Sequence, residues 1–167
     1  MKRLAPSALV LTALVSLAGC KDPEVARADR VHDMMANVVD PAADAIWLKS
    51  GWVVTAEGEK SLFPTDDAGW TAMAESAQRL AKVGEDMKSE KYAPPGEEAW
   101  GEYADGIVLA AAEIERAARA QDQQAVFDSG GILYNACTGC HQQYIVEPEM
   151  AAQAALESGA SDGGSGQ

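Results

Sequence analysis

From Pro23 onward, apolar residues recur at steps of three and four, the period of an α-helix that buries one face. Over residues 23–51 the stripe is Ala28, Val31, Met35, Val38, Val39, Ala42 and Ile46, with Asp29, Arg30, Asp33, Asn37, Asp40 and Asp44 opposite. Asp40-Pro41 interrupts it. Aspartate before proline is a cap and first-turn pair, so the helix bends or restarts there. Lys49 suits the last turn, and Gly51 can stop the helix. The stretch WVVTAEGEKSLFPTDD follows; Trp52 to Thr55 is strand-like and Glu57-Gly58 can turn, which predicts a long loop with a small hairpin.

Thr65 and Asp66 cap a second helix over 66–90, with Trp70, Met73, Ala77, Leu80 and Met87 on its apolar face. Pro94-Pro95-Gly96 breaks the chain. A third helix over 97–120 carries Trp100, Tyr103, Ile107, Ala111, Ile114 and Ala118. Asp122 caps a fourth over 123–144. Four amphipathic helices with short later connections predict an all-α fold, an antiparallel four-helix bundle, over residues 25–146. Residues 147–167 end in Gly and Ser without core-forming side chains and are expected to be a disordered tail, Met150 to Leu156 holding at most a helical turn or two.

The N-terminus changes the setting. Lys2 and Arg3 precede an apolar run from Ala8 to Leu17, and Leu17-Ala18-Gly19-Cys20 follows. This is the layout of a bacterial secretory signal over residues 1–19, and its final cysteine resembles that of a lipoprotein signal. Cys20 is then the lipidation site, with residues 20–24 as lipidated N-terminus and tether. The run is short of the ~20 residues of a membrane span. The expected location is the bacterial periplasm, lipid-anchored, with Lys21 in place of a retention aspartate leaning toward the outer membrane.

Charge excludes some partners. The chain carries a formal −13, and loss of Lys2 and Arg3 with the leader makes it −15. Nucleic acid would be repelled. A basic redox protein would be steered toward such a surface, although acidity also serves solubility alone.

With Cys20 lipidated, two cysteines remain, in Cys137-Thr138-Gly139-Cys140-His141. On a helix these two thiols and the imidazole project to one side, together with Val126, Leu133 and Tyr144. Gly130, one heptad earlier, would leave room beside a flat ligand. C-x-x-C-H is the attachment motif of c-type haem. Two thiols add across the two porphyrin vinyl groups, and the adjacent histidine reaches the iron. A structural zinc needs four ligands, with only His32 left as a further histidine. A redox dithiol expects a βαβ setting, and a local disulfide would leave His141 unexplained.

The patterns VHDMMANVVDPAADAIW and FDSGGILYNACTGCHQQY resemble class II cytochromes c, cytochrome c prime and its low-spin relatives, in exported lipoprotein form. The similarity runs from Val25 to Tyr144. It implies one covalent haem c held by Cys137 and Cys140, His141 as proximal axial ligand, and a methionine of the first helix on the distal side. Met35 lies near the centre of the apolar arc and is the expected distal ligand; Met34, at the arc's edge, and His32 are the alternatives. Met35 is otherwise core filler beside an open iron. Trp47, Trp70 and Trp100 fall on apolar faces and are expected to pack the helices.

The expected function is one-electron transfer by a membrane-anchored monohaem cytochrome rather than catalysis, with redox proteins as partners. A five-coordinate gas-binding protein and a non-redox haem lipoprotein are the competing readings. A homodimer is compatible with the class.

Overall fold

A computed structural model describes the chain from Asp22 to Asp162. The expected leader, residues 1–19, and Cys20 lie outside the described residues. The molecule is mostly helical with one small two-stranded sheet. Its elements are α1 (Pro23–Met34), a π turn (Met35–Val39), α2 (Asp40–Trp47), β1 (Trp52–Thr55), β2 (Gly58–Ser61), α3 (Asp67–Met87), α4 (Glu98–Arg119), α5 (Gln123–His141), a second π turn (Gln142–Val146) and α6 (Glu147–Asp162).

The predicted caps are used. Asp66 accepts from the Gly69 amide at 2.7 Å, and Asp122 from the Ala125 amide at 3.0 Å, each satisfying an orphan donor of the first turn. Asp22 does the same for Glu24 at the head of α1, where Pro23 needs no donor. The hairpin forms where strand-like residues flank Glu57-Gly58, pairing Trp52 with Ser61 and Thr55 with Gly58.

α3 packs on α4, α4 on α5, and α2 with the first π turn packs on α3. The stripes of α3 and α4 are the heart of the core: Met73, Ala77, Leu80, Met87, Ile107, Ala111 and Ile114 are buried. Between α2 and α5 the described residues meet only sparsely. That thin seam is where the candidate site lies.

The interruption at Asp40-Pro41 is a local widening, not a stop. Proline removes one backbone donor and collides with the carbonyl four residues back in a regular helix. The chain answers with a π turn ending at Val39, and Pro41 falls in the first turn of α2, directly after the widened ring. One consequence departs from the regular wheel. Met34, expected at the edge of the arc, is 5% exposed, whereas Val38, expected within it, is 41% exposed.

The tail is corrected from Glu147 on. Instead of ending in disorder there, the chain stays helical to Asp162. Ala, Met, Gln, Leu and Glu are strong helix formers, and the helix needs no fresh nucleus because it continues from α5 through the second π turn. Every side chain described in it, Glu147 to Glu157, is exposed.

Candidate functional site

Cys137, Cys140 and His141 occupy the last turns of α5. Helical spacing brings them to one side, and all three line a cavity of about 180 Å³. Its other walls come from the first helical stretch (Met35, Val39, Asp40, Ala43, Trp47), from Met87 and Ile107, and from Tyr134 and Thr138. The lining is predominantly apolar. Cys140 is buried, Cys137 half-buried, and His141 exposed at the rim.

Of the three candidates on the first helix, the fold brings one to the motif. Met35 is half-buried and lines this cavity. Met34 is buried and lines a second cavity with Arg79, Lys82, Val83 and Tyr92. His32 is exposed and lines neither. Neighbours in sequence are thus divided between two sides of one helix.

Both thiols are free. Burial pushes the Cys137 thiol up, and the Asp40 carboxylate adds to it. Burial pushes Cys140 up to about 11, with Cys137 adding to it. The cause is the same in both: an apolar wall disfavours the thiolate. Reactive redox dithiols are lowered instead, toward ~3.5–7.5. Among the described residues, no three of His, Cys, Asp and Glu come together as a metal cage. A four-ligand zinc site is therefore not assembled, and His32 does not approach the cysteines.

Two glycines of α5 are explained by neighbours. A Cβ on Gly139 would stand 2.9 Å from Cε1 of Tyr103, so the motif's glycine is a close-approach position against α4. Tyr103 is held there by a 3.2 Å hydrogen bond from its hydroxyl to Gln143. Gly130 does not lie open for a flat ligand. The Trp47 indole sits against it, 3.8 Å from where a Cβ would be, and donates to its carbonyl at 3.3 Å. Trp47, expected only to pack helices, is thus also a wall of the cavity.

Behind the motif lies an aromatic group drawn from distant parts of the sequence. Trp100 meets Tyr144 edge-on at 5.2 Å, and Tyr144 meets Tyr103 at 6.4 Å. Trp100 donates to the carbonyl of Met87, itself a cavity residue, at 2.8 Å. The helical spacing of Trp100 and Tyr103 was legible; their meeting with Tyr144 required the α4–α5 register.

Comparison with protein-family models, with curated proteins and with solved structures gives no match for this chain.

Proposed function

We propose that this protein is a lipid-anchored, monohaem c-type cytochrome of four-helix-bundle architecture that carries single electrons in the bacterial periplasm. The observation that carries the reading is the meeting of Met35 with Cys137, Cys140 and His141 around one apolar cavity, from opposite ends of the chain. The haem, when bound, supplies reversible one-electron oxidation and reduction of its iron.

The chain's residues fit that group by their chemistry. Cys137 and Cys140 would be the thioether donors: both are free thiols, and addition of each S–H across a vinyl group is redox-neutral and needs no added oxidant. His141 is the nitrogen ligand and Met35 the sulfur ligand. Val39, Ala43, Met87 and Ile107 exclude water, which tunes a potential through burial. The cavity, about 180 Å³, is smaller than the ~300–1,000 Å³ of typical cofactor clefts. The acidic surface suits a basic redox partner. No described helix is long and apolar enough to cross a membrane; the proposed anchor is lipid on Cys20.

The test is optical and magnetic spectroscopy of the matured protein, oxidised, reduced, and reduced under carbon monoxide. Low-spin iron that does not bind the gas rapidly is expected, with Met35→Ala opening the site. High-spin iron that binds the gas readily would favour the gas-binding alternative. Mature protein whose two thiols are unmodified would sink both readings.

A further inference from the structure

We infer that the first π turn is a register device, held by Asn37 and Pro41, that presents Met35 rather than Met34 to the cavity. The inference rests on the proposed function only for the meaning of that choice; the geometry stands without haem.

In the turn, the Asp40 amide donates to the Met35 carbonyl, five residues back instead of four. A π turn therefore holds one residue more than an α turn. Residues before it keep the places they would have in a regular helix one residue shorter. Setting Val39 at zero, Ala43 and Trp47 lie at about 40° and 80° with ~100° per residue. With the extra residue absorbed, Met35 lies at about 60°, inside that arc, and Met34 at about 40° beyond its other edge. These are the observed positions: Met35 on the cavity with Val39, Ala43 and Trp47, and Met34 on the second cavity. In a regular helix of the same sequence Met35 would move to about 40° outside the arc, the place Met34 now holds, and Met34 would turn farther away.

Two residues outside the cavity lining hold the turn open. Pro41 cannot donate to the carbonyl four residues back and would collide with it. Asn37 Nδ2 donates at 2.9 Å both to the backbone carbonyl of Asp33 and to its Oδ1, so a side chain serves a carbonyl beside the irregular turn. Met34 is the one buried residue of α1; Val31 packs half-buried against the core, and Arg30 Nε donates to the Lys91 carbonyl at 3.1 Å, a bond that rotation of α1 would have to break. Asn37 and Pro41 are thus positioning residues.

The readout is methionine oxidation by dilute hydrogen peroxide, mapped by mass spectrometry in the full chain made without haem. In the unaltered protein Met35 is expected to oxidise severalfold faster than Met34. The Asn37→Ala/Pro41→Ala variant should invert that order while retaining helicity, and Asn37→Ala alone should move the ratio the same way. Deleting Ala36 from the double variant should restore the original order, because it returns Met35 to three residues before Val39. An unchanged order in folded variants, or no restoration by the deletion, overturns the inference. If the double variant does not fold, Asn37→Ala decides: no movement of its ratio overturns the inference. None of these outcomes depends on whether haem attaches, so failure here is separable from failure of the cytochrome reading.

Discussion

The indole N–H of Trp47 donates to the carbonyl of Gly130 at 3.3 Å, tying α2 to α5 across the seam that holds the cavity. The Trp47 ring also meets Tyr134 of α5 edge-on at 6.2 Å, so one side chain supplies both a hydrogen bond and a ring contact across the seam. Trp47→Phe keeps most of the ring and removes the donor. It should lower stability by about 0.5–1.5 kcal/mol, the net value of one hydrogen bond. Urea unfolding checks this, and an unchanged midpoint would mean the seam is held by packing alone.

Gly139→Ala sets two effects against each other. Replacing glycine inside a helix gains ~0.5–1 kcal/mol of backbone preference. Against it, the new methyl would lie 2.9 Å from a Tyr103 ring pinned by Gln143 and Tyr144. Overpacking costs ~1–3 kcal/mol, so the clash wins and the melting temperature falls. Tyr103→Leu in the same chain should recover part of that loss; if Gly139→Ala alone stabilises the protein, the α4–α5 approach is looser than described.

Met34 and Met35 should separate stability from ligation. Met34 is buried, and truncation to alanine should cost ~2–5 kcal/mol. Met35→Ala, at a half-buried cavity wall, should cost less in denaturant unfolding yet change the visible spectrum of the haem-loaded chain. A larger stability loss at Met35 than at Met34 would contradict their assignment to the two cavities.

Tyr144 should ionise above the ordinary tyrosine range. Burial raises its pKa first, and the Glu97 carboxylate, which accepts from its hydroxyl at 3.3 Å, raises it further. A folded pKa above the unfolded one favours folding below pH ~10, and the contribution is lost as pH rises through the folded value. Glu97→Gln should bring the alkaline phenolate transition of Tyr144 down, read by ultraviolet absorbance with the other tyrosines replaced singly. A transition that does not move would separate Glu97 from Tyr144.

Ending the chain at Val146 should leave the unfolding midpoint within about 0.5 kcal/mol, because the side chains described in α6 are exposed. Circular dichroism should lose the helical signal of the extension. A large fall in the midpoint would show that α6 supports the core.

Local chemistry determined much of this protein before any contact was known. Periodicity marked the long helices, Asp66 and Asp122 announced their own caps, and Glu57-Gly58 announced the hairpin, because each signal acts over a few neighbouring residues. The spacing of Cys137, Cys140 and His141 likewise put them on one face. Other features rested on events that no short window contains. The tail's helix continues through a π turn, although its composition alone read as disordered. Trp47 became a cavity wall when Gly130 came beside it. Met35 and Met34 differ by one position, and a regular wheel put Met35 near the centre of the apolar arc and Met34 at its edge. Their division between two cavities depends on an extra residue in the first π turn, and on α3 and α5 arriving on different sides of that helix. A hydrophobic pattern specifies which face turns inward; only the packed partners, and an irregularity that shifts the register, specify what each inward residue meets.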